Sequence, residues 1–337
     1  MQPYGQNVSE RAAEMEVDMC VKYGDGGHPN IEKLDKADMV YDLSVVWSVA
    51  KEVFPYFDRL PFDWDEQYRR YLGKVIDVED TSAFHDLMEE FLSSLNDGHT
   101  KYTPPAEFRR SAPFSRPAKP SFSFSDGVLT IKINEFIADH SAYVRHLLEE
   151  NDGISLVRLD IRDNIGGNTY YGAKVAELFI SGVFHACRKW TQAYKASDFA
   201  GASQLLSDSE ETLQEYIRNG LITENELAEA RSIISRTNYK EYEDSWGSEK
   251  NKAIYDGPME VLVSNNTISA AEDFAAMFRS NRRAVLIGEP TYGSTGTPCM
   301  VNLRCGGRAQ VVSVGYRLLD GTEFIGKGII PDVLKGQ

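Results

Sequence analysis

The chain has 337 residues, enough for two domains or for one large domain with a helical annex. Apolar residues make up 42% and charged residues 26%, which fits an ordinary globular fold and excludes a low-complexity chain. A net charge of −15 argues against a nucleic-acid partner, because an acidic surface repels phosphate backbones.

Residues 1–37 are polar and broken by Tyr23-Gly-Asp-Gly-Gly27, which predicts a loose leader. The first 20 residues hold four acidic residues and no apolar core, so they are not a signal peptide. The expectation is a cytoplasmic protein, or an extracytoplasmic one whose leader has been removed. Nowhere does the chain approach about 18 consecutive apolar residues, so no membrane span is expected. Cys20, Cys187, Cys299 and Cys305 lack CxxC spacing, and the six histidines include no HExxH. No metal and no cofactor are predicted, and the cysteines read as free thiols.

From Ala37 to about Asn96 the pattern is helical. Val40, Leu43, Val46, Ala50 and Val53 recur at three- and four-residue steps, as do Phe84, Leu87, Met88, Phe91 and Leu95. Pro55 and Pro61 mark breaks. This predicts a small N-terminal helical domain over 38–102, then a proline-rich linker over 103–120. Phe122-Ser-Phe124 and Val128–Ile133 flank Ser125-Asp-Gly127, the pattern of a hairpin. Helix and strand patterns then alternate: His140–Glu150, Ser155–Ile161, Tyr170–Ile180. Such alternation predicts an α/β core around a largely parallel sheet, over 121–337. A charged, helix-rich insert interrupts it at 188–252. The core resumes with a strand at Met259–Val263, a helix at Ser269–Arg279 and a strand at Ala284–Ile287. A β-rich stretch, Ala309–Leu319, closes it.

Five segments carry candidate chemistry. In Met259–Phe274 a strand runs into a polar turn and a helix starts near Ser269, which holds that hydroxyl out of the sheet beside the positive helix end. This is the physical solution of the nucleophile elbow without its G-x-S-x-G sequence. The same residues, Ser269-Ala-Ala-Glu272, also read as a plain capping box. Leu95-Asn-Asp-Gly-His-Thr100 places His99 on a loop between the domains, where it can reach a cleft or simply be solvated. Leu159-Asp-Ile-Arg-Asp-Asn-Ile-Gly-Gly-Asn168 ends a buried strand in a turn that presents amides to an anion, or is only a tight turn. Gly288–Gly296 and Asp320–Asp332 are turn-rich loops.

Together and in this order the five segments resemble the tail-specific, or C-terminal processing, protease family of serine peptidases and the tricorn protease core. The resemblance spans roughly residues 38–335. It implies a crotonase/ClpP-like β-α core and a peptide or unfolded-protein substrate. Ser269 matches the nucleophile and His99 the histidine of the tricorn-like branch. The oxyanion donors implied are the Ala270 amide and one in the Gly166-Gly167 turn. Ile165 stands where many relatives have a third glycine. The lysine of the Ser/Lys branch falls on Ser294, so the base implied is His99, with Ser294 able to add a hydrogen bond. The tricorn glutamate falls on Ile325, which leaves Glu323 as the candidate to orient the imidazole. The interval between His99 and Val128 is too short for the PDZ domain of the processing proteases.

These readings predict acyl transfer by Ser269 with His99 as base. The alternative is a non-catalytic ligand- or peptide-binding protein on the same scaffold, as in the retinoid-binding repeats that resemble this family. An acyl-CoA enzyme of crotonase-like architecture is a third reading, disfavoured by the absence of a basic patch for phosphate.

Overall fold

The computed structural model describes residues 20–21, 34–108, 119–193, 196–235 and 237–335. Most of the predicted leader 1–37 and of the predicted linker 103–120 lies outside these residues. In chain order the elements are β1 (Cys20–Val21), α1 (Lys36–Val53), α2 (Trp64–Asp77), α3 (Thr81–Ser93), β2 (Lys101–Thr103), β3 (Ser121–Ser125), β4 (Val128–Lys132), α4 (Ser141–Glu150), β5 (Leu156–Asp160) and α5 (Thr169–Ala176). Then come β6 (Val183–Phe184), β7 (Cys187–Gln192), α6 (Ala196–Leu205), α7 (Glu210–Arg218), α8 (Glu224–Ile234), β8 (Tyr239–Glu243) and β9 (Trp246–Gly247). The chain closes with β10 (Met259–Val263), α9 (Ala270–Ser280), β11 (Val285–Gly288), β12 (Pro298–Asn302), β13 (Arg308–Val312), β14 (Gly315–Leu318) and β15 (Val333–Leu334).

The first three helices each start at an aspartate. Asp35, Asp63 and Asp80 accept first-turn amides at 2.8–2.9 Å, satisfying donors that a helix start leaves unpaired. Their apolar stripes face one another, with Leu43, Val46, Phe84, Met88 and Phe91 fully buried. Trp64 of α2 stacks on Phe91 of α3 with ring centroids 4.6 Å apart. Helix α1 stops at Val53, two residues before Pro55.

The main sheet has six strands in the order β15-β11-β10-β5-β4-β3. All neighbours are parallel except the β3–β4 hairpin, so the sheet is mixed. That hairpin turns at Asp126 (φ 52°) and Gly127 (φ 74°), the positive dihedrals that a two-residue turn needs and that an Asp-Gly pair adopts readily. Val157, Leu159, Val261, Val263 and Leu286 lose all contact with solvent, as strands covered on both faces do. Helix α9 runs through the core, buried from Ala270 to Phe278. Its Phe274 meets Phe136 at 5.0 Å, and each such fully buried ring contributes roughly 2–3 kcal/mol.

Two smaller sheets tie distant parts together. In β1-β12-β13-β2 the strand that follows His99 pairs with β13, Tyr102 facing Ala309. In β14-β7-β8 both ends of the predicted insert are strands: Arg188 pairs with Glu243, and Trp190 with Gly315. Among the described residues the helix-rich insert holds three helices, and also three strands, β7, β8 and β9, that its charged sequence conceals. Their partners lie far along the chain, so local periodicity carries no trace of the pairing. No described helix is long and apolar enough to cross a membrane.

Candidate active site

The strand β10 ends at Val263, and side-chain and backbone bonds fix the turn that follows. Thr267 Oγ1 accepts the Ser264 amide at 3.0 Å and donates to the Ile161 carbonyl at 3.0 Å. The Ile268 amide donates to the Asn164 carbonyl at 3.1 Å. Ser269 then adopts φ 62° and ψ −129°, a conformation that a non-glycine residue keeps only under constraint, at roughly 1–3 kcal/mol. Its amide is tied to the Ser294 carbonyl at 2.9 Å and lies 3.3 Å from the Glu272 carboxylate. The strained turn lifts the hydroxyl out at the positive end of α9.

His99 reaches the same point from the helical annex. Its amide donates to Asp97 Oδ1 at 2.9 Å, and its carbonyl accepts Gln310 Nε2 at 2.7 Å. The next residue, Thr100, receives the Val312 amide at 3.1 Å. The imidazole stands between two hydroxyls: Nε2 is 2.9 Å from Ser269 Oγ, and Nδ1 is 2.5 Å from Ser294 Oγ. With Ser269 donating to Nε2, the neutral ring carries its proton on Nδ1 and donates it to Ser294. Burial, aided by the charge of Lys101, lowers the His99 pKa to about 4. The ring is therefore neutral at pH 7, the form in which it can accept a proton.

Glu272 holds the loop that presents Ser294. Its carboxylate accepts Thr291 Oγ1 at 2.5 Å, the Gly293 amide at 2.7 Å and the Ser294 amide at 2.7 Å. Burial pushes its pKa up to about 7, against the pull of those three donors. The Asp320–Asp332 segment braces the same loop from outside. The Gly326 amide donates to the Gly293 carbonyl at 2.6 Å, and the Ile329 amide to Thr291 Oγ1 at 2.7 Å. Gly328 has φ +80°, and a Cβ there would lie 2.0 Å from the Thr291 carbonyl oxygen, so only glycine permits this closure.

The Asp160–Asn168 turn lies against Ser269. A Cβ on Gly166, whose φ is +93°, would sit 2.6 Å from Ser269 Cβ, so the backbone approaches as only glycine allows. The Gly166 amide is not available to a ligand: it donates to Asn164 Oδ1 at 2.9 Å. The Gly167 and Ala270 amides have no protein acceptor among the described residues. Arg162 makes a two-pronged pair with Asp160 at 2.9 and 2.8 Å, the structural pairing rather than an open carboxylate receptor.

The geometry thus gathers Ser269, His99, Ser294, Ala270, Gly166 and Gly167. Glu323 is not among them. Exposed on the closing loop, it lies 3.4 Å from Arg59 and bonds no ring nitrogen of His99, whose Nδ1 is taken by Ser294. Asn164 and Thr291 did not stand out in sequence, and Glu272 read only as a helix cap. Their signal is positional: Asn164 sits in Leu159–Asn168, Thr291 in Gly288–Gly296, and Glu272 three residues after Ser269. No three His, Cys, Asp or Glu side chains converge as a metal-binding group among the described residues.

Comparison with known proteins bears on this arrangement. The model of "Peptidase family S41" matches residues 127–334. Carboxyl-terminal-processing peptidase 1, chloroplastic, of Arabidopsis thaliana is 31% identical over 207 residues, 60% of this chain and 32% of that protein. Carboxyl-terminal-processing peptidase 2, chloroplastic, of the same plant is 24% identical over 204 residues, 60% of this chain and 30% of the relative. The match thus spans about a third of the length of these curated relatives. A crystal structure of a candidate peptidase from Parabacteroides merdae superposes with a TM-score of 0.65 at 16% identity, covering 90% of each chain. That likeness establishes the mixed α/β fold.

Proposed function

This chain belongs to peptidase family S41, and from that premise we propose that it is a serine peptidase that hydrolyses peptide bonds through Ser269 and His99. The substrate class is a peptide or unfolded protein, with trimming of carboxyl-terminal segments as the activity suggested by the Arabidopsis relatives. The proposed scaffold is a β-α core of crotonase/ClpP type over 121–337, with the helical annex over 38–102 supplying the base.

In this reading His99 Nε2 takes the Ser269 proton as the oxygen attacks the peptide carbonyl. The imidazolium that forms keeps its proton on Nδ1 and donates it in a hydrogen bond to Ser294 Oγ. The amides of Ala270 and Gly167 receive the oxyanion, each such donor typically contributing ~3 kcal/mol to the transition state. His99 then protonates the leaving amine, and water releases the acyl group by the reverse sequence. The observation that carries the reading is the 2.9 Å approach of His99 Nε2 to Ser269 Oγ, from residues 170 positions apart.

A fluorophosphonate probe tests it. The expected result is stoichiometric labelling at Ser269, and no labelling or peptide hydrolysis after Ser269→Ala. Hydrolysis by the folded Ser269→Ala protein at the wild-type rate would end the proposal. A folded wild-type chain that never labels would favour the non-catalytic binding protein instead.

A further inference from the structure

Immediately after Glu272, the nucleophile helix carries a second buried acid, Asp273, which the mechanism above does not use. It is 3% exposed and bonds two hydroxyls: Thr169 Oγ1 at 2.6 Å and Thr295 Oγ1 at 2.9 Å. Thr169 is the first residue of α5, directly after the Gly166–Asn168 turn. Thr295 follows Ser294. One carboxylate thus fastens both the amide turn and the loop that faces His99 to the helix that begins at Ser269.

A buried carboxylate needs a compensating charge, or it neutralises and gives up part of its hydrogen bonding. Lys189 of β7, a cation inside the predicted insert, is likewise buried, at 9% exposed. Its ammonium lies 3.3 Å from Asp244 Oδ2 and 4.6 Å from the Tyr316 ring centroid. Asp244 in turn accepts the Ala186 and Cys187 amides at 2.7 and 3.0 Å, pinning the start of β7. Burial raises the Asp273 pKa, and the field of Lys189 is the largest influence opposing it. Burial likewise works against the Lys189 charge, and its acidic neighbours, Asp273 and Asp244, help to outweigh it.

We propose that Asp273, Thr169 and Thr295 form a positioning network that holds the Gly166–Asn168 turn and Ser294 in register. Asp273 acts through the two threonines.

This inference rests on the Ser269–His99 reading, so the test reads both. The rate and half-saturation of fluorophosphonate labelling are measured on wild type and on the Val and Ser variants of Thr169 and Thr295. Valine preserves shape and removes the hydroxyl; serine keeps it. The expected result is that both Val variants lose about tenfold in maximal labelling rate, with half-saturation within roughly threefold, while the Ser variants recover most of the rate. Val variants that label as fast as wild type, or Ser variants that lose as much as Val, overturn the network. A folded wild type that never labels removes the peptidase reading, and the network falls with it.

Discussion

The nucleophile and the base are held in place by different means. Ser269 is bent by its neighbours in sequence: a five-residue turn, the helix start of α9 and Glu272 three residues on. The tie of its amide to the Ser294 carbonyl, and that of the Ile268 amide to the Asn164 carbonyl, hold this turn in its strained shape. His99 is the opposite. Apart from the Asp97 bond, its contacts come from Ser269, Ser294 and Gln310, between 170 and 211 positions away. The local turn sets the hydroxyl, whereas the imidazole is set by the docking of the annex on the core. Damage near Ser269 should therefore alter chemistry at the turn, while damage between annex and core should misplace the base.

The comparison breaks most sharply at His99 itself. His99→Ala should reduce peptide hydrolysis by about 10⁴-fold or more while thermal unfolding stays close to wild type, as removal of one member of a catalytic unit does. A loss below tenfold would mean that the base lies elsewhere.

Next comes the contact surface between turn and nucleophile. Gly166→Ala places a methyl 2.6 Å from Ser269 Cβ at a backbone φ of +93°. Steady-state kinetics should show a loss of roughly 10²–10³-fold, comparable with losing an oxyanion donor. Activity within a few-fold of wild type would show that turn and nucleophile do not need this close approach.

The pH dependence of stability separates the two regions. Glu272 titrates at about 7 in the fold against an ordinary value of 4.5, so its contribution is present below pH 4.5 and is lost as pH rises to about 7. His99 titrates at about 4 against 6.5, so its contribution is present above pH 6.5 and is lost as pH falls to about 4. Between pH 4.5 and 6.5 the two trends oppose each other. Chemical denaturation of Glu272→Gln should therefore expose the histidine limb, stability falling toward acid by up to about 1.4 kcal/mol per pH unit. His99→Gln should show the reverse slope. Parallel profiles in the two variants would contradict the opposed shifts.

The smallest effects discriminate Ser294 from Glu323. Ser294→Ala removes the Nδ1 acceptor and should lower kcat by roughly 10–100-fold. Glu323→Ala removes only a solvent-screened pair with Arg59, and its kcat should stay within about twofold, with stability changed by less than about 0.5 kcal/mol. Reversed magnitudes would return the orienting role to the glutamate.

Much of the fold was legible because it is written in local periodicity. The α1 and α3 stripes, the Asp126-Gly127 hairpin, the β10 strand and the start of α9 all depend on residues within a few positions. The site was legible only as separated segments: Ser269, His99 and the glycine turn could be named, but not their distances. Glu323 was attractive because it neighbours Ile325 in sequence, yet the closing loop carries it to Arg59. Asn164, Thr291 and Asp273 escaped notice because a buried polar residue gains meaning only from the partner it bonds. The strands bordering the insert escaped for the same reason.

By itself the sequence determined the helix starts, the strained serine junction and the glycines that permit close backbone contact, since these are properties of short stretches of chain. Tertiary structure alone decided that Ser294 rather than Glu323 meets His99, that the Gly166 amide is already spent on Asn164, and that Asp273 meets Thr169 and Thr295. Those outcomes depend on which distant groups share a low-dielectric interior, where an unpaired polar atom is costly and folding must pair it with whatever the topology brings near.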